Sequence, residues 1–366
     1  MIEAADLLGR TADQVPTPVL LVDLEIFESN LHHLANFCQT QNIAWRPHTK
    51  AHKSPHIARL QLAAGACGIT CAKLSEAELM VEHGIGDILI ANQIVTPAKL
   101  QLLSRLQTRA QVMVAVDNIE AVPRIRDAVQ QVGLRIPVLI EVDIGMKRCG
   151  VQPGPPALEL ARAISEAPEL VLRGLMGYEG HVLKVQPPEA KAAACALALN
   201  HLIETRDLLQ AHHIPVEIIS AGGTGSYQLT ATHPGITELQ AGGGIFMDAM
   251  YRQAFFVDDL EYALTILATV TSRQAHHIIV DAGFKTMSAF HHPPHALGRD
   301  DLALRYLSAE HGVFEVTKGP GPQLGELLHF VAGYSDSTTF LHDFFLAMRR
   351  GKVEQVWEIL GRGKLY

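Results

Sequence analysis

Residues 43–53 place one lysine among several basic side chains. A short apolar run ends at Arg46, and Lys50 follows between His48 and His52. Because nearby positive charge disfavours a further ammonium, we expect a lowered pKa at Lys50 and an amine that can act as a nucleophile. A lysine of this kind can hold an aldehyde cofactor as an imine. A solvated surface loop or an anion-binding loop is the alternative interpretation.

Two glycine-rich segments have the composition of phosphate-binding loops. Residues 220–226 read Ser-Ala-Gly-Gly-Thr-Gly-Ser, and residues 240–244 read Gln-Ala-Gly-Gly-Gly. Glycine lets the backbone approach an anion closely, and the N–H groups at the start of a helix favour phosphate. Each loop alone also fits an ordinary tight turn, so its meaning depends on where the fold places it.

Strand-like and helix-like segments alternate from residue 18 to about residue 250. The strand-like runs are nearly continuous in Val, Ile and Leu, which is typical of parallel strands covered on both faces. Eight strand-then-helix repeats predict a (β/α)8 barrel of the TIM type, and an open doubly wound sheet is the alternative. The predicted strands are residues 18–23, 43–48, 68–72, 87–92, 112–117, 137–143, 170–178 and 217–221. The predicted helices are residues 24–40, 75–83, 97–106, 118–132 and 188–212.

The pattern changes after about residue 255. Strands separated by Gly- and Pro-rich turns, with no long helix between them, are predicted there. They are residues 262–272, 276–281, 312–316, 327–331 and 344–349. The sequence therefore predicts an α/β protein with a barrel at residues 18–255 and a C-terminal all-β domain at residues 256–366. Residues 1–17 are too few for a barrel unit, so we expect them to join the β domain.

The active sites of barrels gather at the carboxyl ends of the strands. Residues at or after the ends of predicted strands include Lys50, Arg148, Tyr178 and His181. Residues 220–226 follow the eighth predicted strand, and barrels often bind phosphate after strands seven and eight. An imine-forming lysine and two glycine loops at one end of a barrel predict pyridoxal 5′-phosphate (PLP) as the cofactor.

The overall composition argues against several classes of protein. The 366 residues carry a formal net charge of −8, which disfavours nucleic acid as a partner. No apolar stretch is long enough to span a membrane, and the N-terminus lacks the basic start of a signal peptide. The five cysteines are odd in number and lack disulfide or zinc spacing. We therefore expect a cytoplasmic protein with a small-molecule substrate and no membrane or nucleic-acid partner.

Five motifs occur in combination along the chain. They are Arg-Pro-His-Thr-Lys-Ala-His-Lys at residues 46–53, Asp143 followed by Arg148-Cys149-Gly150, Gly-Tyr-Glu-Gly-His at residues 177–181, Ser-Ala-Gly-Gly-Thr at residues 220–224 and Asp-Ala-Gly-Phe-Lys at residues 281–285. Together they resemble the D-threonine aldolase and D-serine dehydratase family over nearly the whole chain. The resemblance implies an alanine-racemase-like barrel (fold type III of the PLP enzymes), a second β domain and a homodimer.

The resemblance also implies roles for individual residues. Lys50 forms the internal aldimine with PLP, and Arg148 and Tyr178 lie against the pyridine ring. The other cofactor-binding residues are Ser220, Gly222, Gly223, Thr224, Gln240, Gly243 and Gly244. The substrate-binding residues are His181, Asp281 and Tyr334.

Several side chains keep a simpler alternative. Arg148 could form a structural ion pair with Asp143 or Glu141 instead of contacting the cofactor. His52 is either a base for the substrate hydroxyl or a residue that caps the loop. Glu76 lies on a predicted helix, where we expect a solvated charge.

The family resemblance further implies a divalent metal that binds the substrate's β-hydroxyl. The metal is held by a histidine and, two residues later, by an aspartate in enzymes that cleave or a cysteine in enzymes that dehydrate. This chain has Asp336 at the second position but Tyr334 where the histidine is expected. Either Asp336, with waters and a second donor, holds Mg²⁺ or Mn²⁺, or Tyr334 itself hydrogen-bonds the β-hydroxyl. The histidines at 291, 292 and 295 suit an exposed loop better than a metal cluster.

The combined prediction is a PLP-dependent lyase that cleaves a β-hydroxy D-amino acid to glycine and an aldehyde. Lys50 would exchange its imine for the substrate amine, and His52 or a group activated by metal at Asp336 would deprotonate the β-hydroxyl. The alternatives are a dehydratase for D-serine or 3-hydroxy-D-aspartate, a metal-free racemase or epimerase, and a non-catalytic PLP carrier. Residues 256–366 argue against the carrier, because the small carriers lack a second domain.

Overall fold

The chain divides into two compact units. The computed structural model describes residues 4–366, so the first three residues of the predicted 1–17 segment lie outside the described part. The barrel unit comprises Ala35–Lys50, Ala58–Gly242 and Lys364–Tyr366. The strand unit comprises residues 4–34, Ala51–Ile57 and Gly243–Gly363.

The elements alternate in the first two thirds of the chain and are mostly strands in the last third. The strands are β1 (Val19–Asp23), β2 (Ala44–Trp45), β3 (Ile69–Cys71), β4 (Asp87–Gln93), β5 (Gln111–Val116), β6 (Ile136–Glu141), β7 (Leu170–Met176), β8 (Ile218–Ala221), β9 (Glu238–Leu239), β10 (Leu264–Arg273), β11 (His277–Val280), β12 (His295–Ala296), β13 (Leu302–Leu307), β14 (Gly312–Val316), β15 (Leu327–Val331), β16 (Phe344–Arg349) and β17 (Lys352–Glu358). The α-helices are α1 (Leu24–Thr40), α2 (Pro55–Ala63), α3 (Leu74–Glu82), α4 (Pro97–Gln107), α5 (Ala121–Gln130), α6 (Pro155–Ser165), α7 (Pro188–Ala211), α8 (Tyr227–Ala231) and α9 (Asp336–Thr339). Within residues 4–366, no helix is long and apolar enough to cross a membrane.

Eight parallel strands form the sheet of the barrel unit in the order β2-β9-β8-β7-β6-β5-β4-β3. A parallel bridge between His48 and Thr70 joins the β2 end to β3 and closes the ring. Part of the interior is an apolar cluster that includes the buried residues Leu89, Met113 and Leu139. Strands covered on both faces need such continuous apolar runs. The predicted (β/α)8 barrel is confirmed.

One predicted barrel strand belongs to the strand unit instead. β1, predicted at residues 18–23, pairs antiparallel with β10 and parallel with β16. The eighth barrel strand is β9, whose two residues are too few to make a recognisable apolar run. An apolar run predicts burial but does not say which sheet buries it. Residues 220–226 therefore follow the seventh barrel strand, and residues 240–244 follow the eighth.

The sheet of the strand unit is built around β10, which pairs with β1, β11 and β15. A bulge between Val270 and Ser272 separates the β15 and β11 pairings along the same strand. The N-terminal segment contributes Leu7 and Val15 to the same buried cluster as Leu267. The strands predicted after residue 255 are all present, whereas β12, β13 and β17 were missed.

The division between the units differs from the boundaries predicted at residues 18–255 and 256–366. Residues 243–255 group with the strand unit. A backbone hydrogen bond explains part of this grouping, because the Met250 N–H donates to the Gly333 carbonyl over 3.1 Å. The many apolar residues of this stretch predict burial, but they do not specify which of the two units buries them.

Candidate active site

Lys50 lies in a short 3-10 helix, Thr49–Ala51, that follows β2. The preceding residue anchors this turn, because the Thr49 hydroxyl lies 2.7 Å from Glu76 Oε1 and 3.0 Å from the Thr70 carbonyl oxygen. The Lys50 N–H donates to His48 Nδ1 over 3.4 Å. The backbone that carries the half-buried lysine is therefore held by several contacts within the barrel unit.

Glu76 is buried, contrary to the prediction of a solvated charge. Its Oε1 accepts from Thr49, and its Oε2 accepts from the Ala72 N–H over 3.0 Å. The glutamate thus links the start of α3 to the Lys50 turn. The helix pattern alone could not predict this role, because an acidic residue in the first turn of a helix is usually exposed to solvent.

Arg46 is a structural residue of the barrel. Its Nε donates to Glu238 Oε2 over 2.7 Å, and its Nη1 donates to Asp87 Oδ1 over 2.5 Å. Burial on its own would lower the pKa of Arg46, but the attraction of Glu238, Cys67 and Asp87 raises it above the ordinary value. Glu238 and Asp87 therefore compensate the charge of Arg46 within the barrel unit.

The ring of Tyr178 lies between two glycines of the barrel unit. A Cβ added at Gly180 would lie 2.5 Å from Tyr178 Cε1, and one added at Gly223 would lie 3.1 Å from Cε2. Any side chain at these positions would displace the ring. The two predicted motifs, residues 177–181 and 220–224, therefore come together as the resemblance implies.

Glu179 organises the first glycine loop, a role that the sequence did not reveal. This buried carboxylate accepts hydrogen bonds from the hydroxyls of Ser226 and Thr230, each over 2.5 Å, and from the Gly222 N–H over 3.3 Å. Gly222 has φ +81°, a conformation that favours glycine. A buried lysine, Lys191, donates to the Gly225 carbonyl over 2.8 Å, and burial lowers the pKa of this lysine.

Ser220 and Gln240 form a chain of hydrogen bonds inside the barrel. The Ser220 hydroxyl donates to Glu238 Oε1 over 2.8 Å and accepts from Gln240 Nε2 over 2.9 Å. The second glycine segment also contacts the lysine segment, since the His48 N–H donates to the Gln240 carbonyl over 3.1 Å. A Cβ at Gly242 would lie 2.3 Å from the His48 carbonyl oxygen. The Lys50 segment and the start of the second glycine segment are therefore neighbours.

Three other predicted cofactor residues are buried. Thr224 lies in the first glycine loop of the barrel unit. Gly243 and Gly244 lie in a 3-10 helix, Gly243–Ile245, of the strand unit. A Cβ at Gly243 would lie 2.6 Å from the hydroxyl of Tyr251. Their contacts with PLP stay predictions.

Arg148 and His181 lie on the exposed side of the barrel mouth. Arg148 Nη2 is 3.9 Å from Glu141 Oε1, and 57% of the arginine side chain is exposed. Burial raises the pKa of Glu141, and hydrogen bonding by Gln93 partly offsets this rise. A Cβ at Gly145 would lie 2.6 Å from His181 Nε2. A structural ion pair between Arg148 and Glu141 is therefore supported only by a long contact of 3.9 Å. The role of Arg148 in cofactor binding stays a prediction.

His52 and Asp281 already have structural partners within the strand unit. The buried His52 accepts the Ser54 N–H at Nδ1 over 3.0 Å, which is the contact expected of a capping residue. Asp281 accepts the Thr269 N–H over 2.8 Å and the Thr17 hydroxyl over 2.6 Å. Their catalytic and substrate-binding roles stay predictions.

Tyr334 and Asp336 form a hydrogen-bonded pair in the strand unit. The Tyr334 hydroxyl donates to Asp336 Oδ2 over 2.6 Å. The intervening residue is fixed by the buried Asp248, whose Oδ2 accepts from both the N–H and the hydroxyl of Ser335 over 2.8 Å. Burial raises the pKa of Asp248 to about 7. In the described part of the chain, no three His, Cys, Asp or Glu residues are grouped so that they could hold a metal, the histidines at 291, 292 and 295 included.

Comparison with known proteins agrees with this arrangement. Residues 22–250 match the family described as alanine racemase, N-terminal domain, and residues 263–348 match the putative serine dehydratase domain. A D-threonine aldolase of Arthrobacter sp. is 41% identical over 359 residues, which cover 97% of this chain and 95% of that one. The chain belongs to the D-threonine aldolase and D-serine dehydratase family.

Two further members of this family are similar along their whole length. The 3-hydroxy-D-aspartate aldolase of Paracoccus denitrificans is 35% identical over 370 residues, covering 98% of this chain and 95% of that one. The crystal structure of a D-threonine aldolase from Filomicrobium marinum superposes with a TM-score of 0.95 at 36% identity, covering 98% of this chain and 99% of that one. The chain is accordingly a PLP-dependent lyase of the D-threonine aldolase and D-serine dehydratase family.

Proposed function

We propose that the protein cleaves β-hydroxy D-amino acids to glycine and an aldehyde. Its similarity to a D-threonine aldolase and a 3-hydroxy-D-aspartate aldolase supports a substrate of this class. One residue favours cleavage over dehydration. Asp336 provides a carboxylate at the position where the family resemblance associates aspartate with cleavage and cysteine with loss of water.

Residues of the barrel unit fit PLP. Lys50, on its anchored turn, would hold the cofactor covalently. The loop from Gly222 to Thr224 would lie around the phosphate, since a glycine backbone can approach an anion closely. Tyr178, clamped by Gly180 and Gly223, would contact the ring. When bound, PLP accepts the electron pair that bond cleavage leaves on the substrate's Cα.

Cleavage requires a group on the chain that takes the proton of the β-hydroxyl. His52 is poorly suited to this task. Its Nδ1 accepts the Ser54 N–H over 3.0 Å, so this nitrogen is engaged by the backbone. Asp336 is the better candidate, because an ionised carboxylate is an acceptor only.

The test is incubation of the PLP-loaded protein with D-threonine and with D-serine. We expect acetaldehyde and glycine from D-threonine. A 2-oxo acid and ammonia would instead identify a dehydratase, and the appearance of the L-enantiomer would identify a racemase. Lys50→Ala should abolish the visible absorbance of the lysine-bound cofactor. If that absorbance persists, another residue holds PLP.

A cytoplasmic location and a homodimer stay predictions. The five cysteines, at positions 38, 67, 71, 149 and 195, are free thiols, which suits a reducing compartment. Sedimentation of the loaded protein would measure the oligomeric state.

A further inference from the structure

The segment that carries Tyr334 and Asp336 is held in place on both sides. Besides the bonds from Ser335 to Asp248, the Gly333 N–H donates to the Ser288 carbonyl over 3.0 Å. A Cβ at Gly333 would lie 1.8 Å from the His292 carbonyl oxygen, so this glycine cannot be replaced without moving the loop. The position of the Tyr334–Asp336 pair is therefore built into the strand unit.

The opposite end of the segment is anchored within the strand unit. The Thr339 hydroxyl, at the end of α9, donates to the carbonyl of Ala51 over 2.9 Å. Ala51 directly follows Lys50 in the sequence. The Thr338 hydroxyl, in turn, donates to the Tyr334 carbonyl over 3.0 Å.

These residues do not fit the divalent metal that the family resemblance implies. A metal ligand must be deprotonated, but the phenol of Tyr334 donates its proton to Asp336 Oδ2. The ordinary pKa of a phenol near 10 also makes deprotonation at neutral pH unfavourable. Asp336 Oδ2 is thus engaged with the Tyr334 hydroxyl, and Tyr334 supplies a protonated phenol where the family's metal pair has an imidazole.

We propose that the Tyr334–Asp336 pair performs without a metal the task that the metal performs in the family. In this step the β-hydroxyl O–H bond breaks and its proton passes to the Asp336 carboxylate. The electron pair of that bond forms the aldehyde C=O, while the Cα–Cβ pair moves to Cα, which is protonated afterwards to give glycine. Tyr334 holds the carboxylate in one orientation. This inference rests on the proposed function for the identity of the reaction.

Metal binding is measured separately from activity. Mn²⁺ is titrated into the PLP-loaded wild type and into Tyr334→His, and bound metal is followed by electron paramagnetic resonance. We expect Tyr334→His to bind Mn²⁺ at least about tenfold more tightly than the wild type, since it restores an imidazole ligand. Equal and saturable Mn²⁺ binding by both proteins, lost in Asp336→Asn, would overturn the inference.

Cleavage of D-threonine provides the second measurement. A chelator should leave the wild-type rate unchanged. Asp336→Asn should lower kcat by about 10²- to 10⁴-fold. Tyr334→Phe should lower kcat by about 10- to 100-fold with little change in KM, as expected for the loss of one hydrogen bond to a charged group. Tyr306→Phe, an exposed tyrosine of β13, is the matched control and should be as active as the wild type.

The two proposals fail in different ways. Cleavage that stops with chelator and returns with Mn²⁺ refutes the metal-free step and leaves the aldolase assignment intact. Absence of cleavage for every β-hydroxy D-amino acid refutes the assignment, and the Mn²⁺ titration then still decides whether residues 334–336 form a metal site.

Discussion

Replacement of Arg46 by methionine tests whether the first basic residue of the lysine segment is structural. The substitution keeps the length of the side chain and removes its charge. Glu238 would then be left with only 4% of its side chain exposed and without its cation, whereas Asp87 is 46% exposed and can be solvated. Removal of one partner from a buried ion pair costs about 3–5 kcal/mol. We expect a loss of stability of this size in the barrel unit.

A second arginine on the same barrel provides the matched control. Arg173 in β7 pairs with Glu217 over 2.7 Å, but the two side chains are 40% and 61% exposed. Exposed pairs contribute about 0–1 kcal/mol, so Arg173→Met should change stability by no more than that. In the double variant Arg46→Met/Glu238→Gln the Arg46–Glu238 pair leaves no buried charge behind, and most of the lost stability should return.

The fluorescence of a single tryptophan can report the unfolding of the barrel unit alone. The chain has two tryptophans, and Trp45 is next to Arg46 in β2, with its indole N–H donating to the Ala241 carbonyl over 2.8 Å. In a Trp357→Phe background, the fluorescence of Trp45 reports urea unfolding of the barrel. If Arg46→Met and Arg173→Met have the same midpoint and slope, the buried ion pair does not stabilise the barrel and the reasoning is wrong.

Three further predictions concern buried carboxylates. Glu179→Gln replaces a hydrogen-bond acceptor by a donor opposite the Gly222 N–H, so the dissociation constant of PLP should rise about 10- to 100-fold. Cofactor absorbance measures the bound PLP, and Glu189→Gln at an exposed position is the control. Glu76→Gln should weaken PLP binding about tenfold by loosening the Lys50 turn, whereas Glu78→Gln on the same helix should not. Burial raises the pKa of Asp248 from 3.8 to about 7, so between these pH values the folded state keeps a proton on Asp248 that the unfolded state has lost. The free energy of unfolding of the strand unit should therefore fall as the pH rises from 3.8 to about 7. Asp248→Asn should reduce the slope of the free energy of unfolding against pH by about 1.4 kcal/mol per pH unit. The fluorescence of Trp357 in a Trp45→Phe background measures this unfolding. An unchanged slope would contradict the raised pKa.

Much of the barrel followed from the sequence because parallel strands and amphipathic helices have distinct periods. Helix α1 was predicted with its observed bounds, and the strands between residues 68 and 178 were each found within a few residues. The prediction went wrong at β1 and β9. An apolar run does not specify its partner strand, and a two-residue strand held by backbone bonds leaves no pattern.

Some residues of the candidate site could likewise be predicted from the sequence, and others could not. Lys50, Tyr178 and the glycine loops could be singled out because they lie at or after the carboxyl ends of predicted strands, where the active sites of barrels gather. The glutamates that hold them could not, because a charged residue in a sequence looks like a surface residue until its partners are known. Glu76 was predicted to be solvated for this reason, and Glu238 was not considered.

The buried glutamates of the barrel unit have a practical consequence for redesign. Glu76, Glu179 and Glu238 each accept hydrogen bonds from a separate part of the site. A library that varies these positions would mostly return proteins with a damaged candidate site. Variation of the exposed positions around Gly145 and His181 would alter the entrance and leave that frame unchanged. Mutational tolerance at this end of the barrel should therefore be sharply uneven, with the least tolerant positions set by the buried carboxylates and their hydrogen-bond donors.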